Sequence, residues 1–171
     1  MLAGRLLATR FGPLLVVVDG AAEGDRPAPA TGAVVASCWR APPAGDRRLL
    51  LGAGDHDLLD FIAVAVADWN DGGNLAALER VPVSVPADGF RGRAWLAMRE
   101  VPAGRVASYR DLAALAGNAR AARAAGSACA TNPVAPFVPC HRIVRAGGAL
   151  GEYGYGPDTK RALLQHEGAW E

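Results

Sequence analysis

Short apolar runs separated by turn residues occupy the first part of the chain. Residues 14–18 are a run of Leu and Val that follows a Gly-Pro turn and ends at Asp19-Gly20, which predicts one strand of a hairpin or meander. Residues 33–39 and 48–51 are two further strand candidates, separated by a turn rich in Pro and Gly. Cys38 lies in the first of these and is predicted to belong to the core.

The spacing of apolar residues becomes helical after residue 56. Asp57 is placed to cap a helix over residues 57–69, and Gly72-Gly73 is placed to end it. The apolar residues recur three or four positions apart: Leu58, Leu59, Ile62, Val66 and Trp69. This pattern predicts an amphipathic helix packed on a small sheet.

A stretch punctuated by prolines, residues 80–88, separates this region from the rest. We predict the domain boundary there, with an N-terminal α/β structural domain over residues 1–85 and a second domain over residues 86–171. The second domain opens with a helix that Asp88 caps and that ends at residues 102–104. One face of this helix is apolar: Phe90, Ala94, Trp95, Met98 and Val101.

Two short helices follow. Ser108 and Asp111 approximate a capping box at the start of a helix over residues 109–116, which directs Leu112 and Leu115 inward. After Gly117 a second helix is predicted over residues 119–130, rich in Ala and Gly around two arginines, and the pair is typical of a helix-turn-helix. A helix with such small side chains can approach another surface closely. The alternative is an alanine-rich helix buried against its neighbour with its arginines in solvent.

Cys140 stands in the segment Pro139-Cys140-His141-Arg142, directly after an apolar segment. Only the thiolate is a strong nucleophile, and a free cysteine with a pKa of about 8.5 is mostly protonated at neutral pH. His141 and Arg142 could supply the basic and cationic neighbours that a reactive thiol needs. A buried structural thiol and a metal ligand are the other readings of an isolated Cys-His pair. A glycine-rich loop with Tyr153 and Tyr155 follows, and then a helix from about residue 157 to residue 167.

Composition and charge narrow the class of protein. The 171 residues are 51% hydrophobic and 20% charged, as in ordinary globular proteins. Residues 1–88 contain 7 Arg against 11 Asp and Glu, whereas residues 89–171 contain 11 Arg and Lys against 6 Asp and Glu, so their net charges are −4 and +5. A basic region rich in arginine fits a phosphate-contacting surface, although a solvated face is left open by charge alone.

The cysteines and the N-terminal sequence indicate the compartment. The three cysteines, Cys38, Cys129 and Cys140, are far apart and predict reduced thiols, and no Cys/His spacing suggests a metal site. The apolar run near the N-terminus is too short for a signal or membrane segment. We therefore expect a cytoplasmic protein.

The segment 139–144, with residues 148–154, Lys160, Leu163-Leu164 and residues 166–168, resembles the methylated-DNA:protein-cysteine methyltransferases, also called O6-alkylguanine-DNA alkyltransferases. The resemblance covers residues 90–168 nearly without gaps and extends only loosely to the N-terminal half. It implies a mixed α/β (α+β) fold: a small ribonuclease-H-like sheet-plus-helix domain, followed by a mostly helical, winged-helix-like domain that contains the helix-turn-helix and the active-site cysteine.

The resemblance also implies an activity. Cys140 would take the alkyl group from O6-alkylguanine, and from O4-alkylthymine, in double-stranded DNA and would not be regenerated, so that one molecule repairs one base. No cofactor and no metal are implied. The expected partner is DNA bound through its minor groove, with no membrane, and the expected state is a monomer, with cooperative binding on DNA left open.

Residue roles follow from the same resemblance. His141 would act as base on the thiol through a water, and Glu167 would orient His141. Tyr109 would crowd the target nucleotide and help to protonate the departing guanine, while Asn132 would brace the turn that leads to the active site. Arg123 would fill the stack that the flipped base leaves. The DNA-contacting set is Tyr109, Arg120, Ala122, Arg123 and Ser127. The pocket set is Cys129, Ala135, Ile143, Tyr153, Gly154, Tyr155 and Lys160.

Two positions depart from the family pattern. Tyr155 stands where the family commonly has a small residue, and Ala135 where it often has proline. We therefore expect a narrowed pocket that prefers methyl over bulky adducts. Two other functions remain open: an alkyltransferase-like protein that binds lesions without transfer, against which Cys140 argues, and a cysteine hydrolase or thiol oxidoreductase, for which no Cys-x-x-Cys motif is present.

Overall fold

The computed structural model describes residues 2–19, 32–39 and 56–171. The chain divides into two compact units, Met1–Ser84 and Val85–Glu171. This division lies one residue from the boundary expected from the sequence. The strand expected at residues 48–51 lies outside the described residues.

An antiparallel sheet of three strands, in the order β1-β2-β3, forms the base of the first unit. The strands are β1 (Leu2–Leu7), β2 (Leu14–Asp19) and β3 (Ala33–Cys38). The run from Leu14 to Val18 is buried, because β2 is the central strand. The sequence pattern did not predict β1, an edge strand whose Leu2 and Leu6 are about half exposed, so its apolar residues do not mark a buried face.

Helix α1 (His56–Asn70) completes the first unit. All five predicted core residues are buried, which confirms the helical pattern. Asp57 lies in the first turn, one residue inside the helix, and not at the cap position. The extended segment after it adds to the sheet, since the Val34 amide donates to the Pro82 carbonyl at 2.9 Å.

Three helices open the second unit: α2 (Gly89–Met98), α3 (Tyr109–Leu115) and α4 (Ala122–Ala130). The Trp95 indole of α2 donates to the Ala128 carbonyl of α4 at 2.9 Å, which joins these two helices. The capping box of Ser108 and Asp111 is present in full. Leu112 is buried, but the inward prediction for Leu115 is wrong: the buried face of α3 runs through Leu112, Ala113 and Ala116, and Leu115 lies on its exposed flank.

The start of α4 also differs from the prediction. The side chain of Asn118 accepts from the Arg120 amide at 3.2 Å, and its carbonyl accepts from the Ala121 amide at 2.9 Å. These bonds form a turn over residues 118–121, so α4 begins at Ala122 and Arg120 precedes the helix.

A two-stranded parallel pairing links the helical region to the cysteine segment. Strand β4 (Ala107–Ser108), immediately before α3, pairs with β5 (Ile143–Val144), immediately after a 3-10 turn over Cys140–Arg142. Helix α5 (Pro157–His166) begins with proline at its first turn, as predicted. The start of α3 and the cysteine are therefore held side by side.

Candidate active site

Cys140 is buried at the first position of the 3-10 turn, with 4% of its surface exposed. Asn132 holds it there. Its Nδ2 donates to the Val138 carbonyl at 2.6 Å and to the Cys140 Sγ at 3.1 Å, while its Oδ1 accepts from the Val134 amide at 3.1 Å. One amide side chain therefore fixes both the end of the apolar segment and the direction of the thiol.

Burial raises the pKa of the Cys140 thiol, and the hydrogen bond from Asn132 and the charge of Lys160 oppose this rise only in part. The resting thiol is therefore protonated and needs a base. The adjacent Arg142, which the sequence offered as a cationic neighbour, directs its guanidinium elsewhere. Its Nε and Nη2 donate to the two carboxylate oxygens of Glu167 at 2.9 and 3.0 Å, and its Nη1 donates to the Val101 carbonyl at 2.6 Å.

His141 completes this buried cluster. Its Nε2 lies 3.2 Å from Oε2 of Glu167, and both side chains are fully buried. Burial lowers the pKa of His141, and the attraction of Glu167 opposes it only in part. Burial alone would raise the pKa of Glu167, but His141 and Arg142 outweigh it and hold that pKa well below its usual range.

The protonation states follow from this arrangement. Glu167 is an ionised carboxylate and accepts only, so Nε2 of the neutral His141 carries the ring hydrogen. Nδ1 then has a free lone pair. Both ring nitrogens are buried with no hydrogen-bond partner among the described residues, and Nε2 contacts Glu167 at 3.2 Å without an aligned hydrogen bond. The geometry thus provides a neutral imidazole whose Nδ1 can take up a proton.

A cavity of about 200 Å³ opens beside the thiol. Its lining residues are Tyr109, Gly126, Cys129, Ala130, Cys140, Glu152, Tyr153 and Gly154. Four of these belong to the predicted catalytic or pocket sets in addition to Cys140: Tyr109, Cys129, Tyr153 and Gly154. Glu152 was given no role by the sequence, and its type and spacing carried no signal; Gly126 and Ala130 stood out only as small residues.

The other predicted pocket residues are not part of this lining. Lys160 is buried, and its ammonium donates to the Ile143 carbonyl at 2.5 Å and lies 6.0 Å from the ring centre of Tyr109. Ala135 is buried ahead of a cis peptide bond to Pro136. Tyr155 packs edge-on against Tyr153, with ring centres 5.5 Å apart.

Burial also affects the other titratable groups of the cavity. It raises the pKa of Tyr109, and it raises the pKa of Cys129 to about 12. The Tyr153 hydroxyl is buried with no hydrogen-bond partner in the part of the chain that the structure describes. These groups therefore stay protonated at neutral pH.

Helix α4 presents a mixed outer face. Arg123 and Ser127 are exposed, and the Ser127 hydroxyl donates back to the Arg123 carbonyl at 3.2 Å. Ala122 is half-buried, whereas Ala125 and Ala128 are buried against the unit. Arg120 is exposed in the preceding turn and does not share this helical face.

The described residues contain no group of three or more His, Cys, Asp or Glu that could hold a metal ion. Among the same residues, no helix is long and apolar enough to cross a membrane.

Comparisons with known proteins relate the chain to a family. The family described as 6-O-methylguanine DNA methyltransferase, DNA binding domain, matches residues 89–169. The methylated-DNA--protein-cysteine methyltransferase of Salmonella typhimurium is 41% identical over 96 residues, which are 56% of each chain. The chain thus spans about half the length of the curated relatives it matches.

Solved structures extend the similarity to the fold of the whole chain. The O6-methylguanine methyltransferase of Mycobacterium tuberculosis has a TM-score of 0.76 at 25% identity, covering 100% of this chain and 95% of that one. Mycobacterium tuberculosis OGT in complex with DNA has a TM-score of 0.66 at 26% identity, covering 96% and 92%. These comparisons confirm the resemblance of the chain to the O6-alkylguanine-DNA alkyltransferases, by sequence over residues 89–169 and by fold over its whole length.

Proposed function

We propose that the protein repairs DNA by transferring the alkyl group of O6-alkylguanine, and of O4-alkylthymine, to Cys140 in a single turnover. The observation that carries this proposal is the thiol of Cys140 in the wall of a 200 Å³ cavity, next to the buried His141 and Glu167. A protonated thiol attacks carbon poorly, so the thiol proton must pass to the neutral imidazole as the bond between Sγ and the alkyl carbon forms.

The proposed step moves one proton and one alkyl group. Nδ1 of His141 takes the thiol proton through a water, and Glu167 stabilises the resulting imidazolium. Sγ forms a bond to the alkyl carbon, the bond from that carbon to O6 breaks, and its electron pair stays on the guanine, which is then protonated. Tyr109 is the proposed donor, because burial raises its pKa and keeps its hydroxyl protonated. The proton held by His141 then returns through water to the tyrosinate, so that the thiol proton is in net terms transferred to guanine. The product is a thioether that water does not cleave, and no cofactor enters the step.

The alkylated guanine must leave the duplex before it can react, because a stacked nucleobase hides its O6 from a protein nucleophile. Rotating it out costs a few kcal/mol. Arg123, exposed on α4, is the proposed residue that fills the gap, and the small residues of α4 suit close approach in the minor groove. Arg123→Ala should weaken repair of a duplex much more than reaction with free O6-methylguanine base. Equal losses on both substrates would contradict this role.

The position of Tyr155 leads us to expect a preference for methyl over bulky adducts. It packs against Tyr153, which lines the cavity, so it supports that wall. We expect methylguanine in a duplex to react faster than benzylguanine, and Tyr155→Gly to reduce the difference. Equal labelling of Cys140 by both substrates in the unmodified protein would contradict a narrowed cavity.

The test of the activity is a duplex with one radiolabelled O6-methylguanine. Label should move to the protein in a one-to-one ratio, and peptide mapping should find the methyl group on Cys140 and not on Cys129, which lines the same cavity. Cys140→Ser should abolish transfer, and Cys38→Ser, in the first unit, should leave it unchanged. Binding without transfer would favour the lesion-binding alternative, and repeated turnover would favour a hydrolase.

The chemistry also fits the proposed setting. A single-turnover acceptor requires a reduced thiol, and none of the three cysteines forms a disulfide. The reducing cytoplasm maintains that state. One copy of the chain holds every group used above, so a monomer suffices for transfer.

A further inference from the structure

Arg145 and Glu152 lie together at the edge of the cavity, and neither has a role in the proposed transfer. Arg145 directly follows β5, and a turn fixes its backbone: its amide donates to the Ala149 carbonyl at 2.8 Å, and its carbonyl accepts from the Gly148 amide at 3.1 Å. The backbone position from which the Arg145 side chain extends is therefore fixed.

Gly151 brings this arginine close to the cavity wall. The residue has a φ of 72°, and a Cβ placed on it would lie 3.0 Å from the Tyr109 hydroxyl and 3.4 Å from Cγ of Arg145. The stem of Arg145 and the hydroxyl of Tyr109 thus border the same glycine. Glu152 is a lining residue, and its Oε1 lies 3.7 Å from Nη2 of Arg145. The guanidinium therefore lies beside a residue that lines the cavity, although Arg145 itself is not a lining residue.

The Arg145–Glu152 ion pair is loose. The two side chains are 60% and 92% exposed, and 3.7 Å is longer than a direct hydrogen bond. Exposed pairs of this kind contribute little stability, because water and salt screen them. The guanidinium can therefore leave the carboxylate at small cost when a stronger anion approaches.

We propose that Arg145 binds a backbone phosphate of the nucleotide that enters the cavity, and that Glu152 holds its guanidinium at the rim when no DNA is bound. The inference rests on the proposed function, since a nucleotide rotated towards Cys140 brings its flanking phosphates to this rim. A guanidinium donates two parallel hydrogen bonds to a phosphate, which fixes position as well as charge. Tyr109 and Arg145 would thus contact the same backbone segment.

The test is binding of a duplex with one O6-methylguanine across a salt series. It is measured by fluorescence anisotropy with the 171-residue chain carrying Cys140→Ser, so that no transfer occurs. Adding Arg145→Gln should weaken binding and reduce the slope of log affinity against log salt by about 0.9, the contribution of one phosphate. Arg145→Lys should keep the slope, because it keeps the charge. Glu152→Gln should tighten binding several-fold, because the competing carboxylate is lost.

Arg161→Gln is the matched control. Arg161 forms a similar exposed pair with Asp158 at 3.3 Å, with 51% and 94% exposure, on α5. An unchanged slope for Arg145→Gln, or an equal reduction for Arg161→Gln, would overturn the inference. In a background that retains Cys140, Arg145→Gln should lose more rate on the methylated duplex than on free O6-methylguanine base; equal losses on both substrates would overturn the inference too. Failure of the proposed activity is a separate result, namely no transfer by the unmodified protein.

Discussion

The two units of the chain bury different kinds of side chain. Among the described residues of the first unit, the buried side chains are apolar apart from Ser37. Besides the Cys140 thiol, the second unit buries four ionisable side chains: His141, Arg142, Lys160 and Glu167. An apolar core is stabilised by transfer from water without directional demands, whereas a buried ion loses its hydration and needs partners at defined positions. The second unit thus carries a desolvation cost exactly where the proposed chemistry lies.

The largest expected change in stability comes from a variant that breaks the buried cluster of His141, Arg142 and Glu167. Glu167→Gln should lower the free energy of unfolding by about 3–5 kcal/mol, because it leaves the buried Arg142 charge without its carboxylate. Urea unfolding measures this change. Asp158→Asn, which removes the exposed partner of Arg161, is the control and should change stability little. Similar losses for the two variants would mean that burial does not distinguish the pairs.

A substitution that creates a cavity in the apolar core of the first unit tests how far that core matters for the chemistry. Ile62→Ala, at a fully buried position of α1, should lower the free energy of unfolding by about 2–4 kcal/mol through lost apolar contact. Its transfer rate should equal that of the unmodified protein under conditions where both are folded. A large loss of rate in the folded variant would show that the apolar unit takes part in the chemistry.

Asn132→Ala should have a smaller effect on stability, about 1–3 kcal/mol, because the Val138 carbonyl and Val134 amide lose their partner. The pKa of the Cys140 thiol should rise further, since the Asn132 hydrogen bond lowers it. The pH dependence of alkylation by iodoacetamide reports this shift. Asn118→Ala, in the turn before α4, should leave thiol reactivity unchanged; an equal shift there would contradict a direct bond to sulfur.

The smallest effect is a pH dependence. The pKa of His141 is lower in the folded state than its ordinary value of 6.5, so the unfolded chain takes up the proton first. Stability should therefore fall as pH falls below 6.5, by at most about 1.4 kcal/mol per pH unit until the folded-state pKa is reached. The pKa of Glu167 is also lowered, so the loss of stability due to Glu167 occurs in a separate pH range, below its ordinary pKa of 4.5. His141→Gln should remove the fall in the free energy of unfolding that begins below pH 6.5, whereas His166→Gln should retain it. Urea unfolding at a series of pH values measures both.

Local patterns predicted most of the elements. The apolar spacing of α1, the capping box of α3 and the proline at the start of α5 depend on neighbours within a few residues, so the sequence contains them. The errors lie where competing contacts decide. Asn118 forms a turn that delays α4, and Leu115 lies on the flank of a helix whose buried face is set by packing.

The candidate site divides in the same way. The sequence by itself determined that a cysteine, a histidine and an arginine follow one another after an apolar segment, with a helix rich in small residues before them, and this supported the resemblance. Only the tertiary structure decided that Arg142 pairs with Glu167 and that Asn132 donates to the thiol. It also decided that Tyr153 lines the cavity while Tyr155 packs against Tyr153 outside the lining. These contacts join residues by their positions in a packed fold, and spacing along the chain encodes such positions only indirectly.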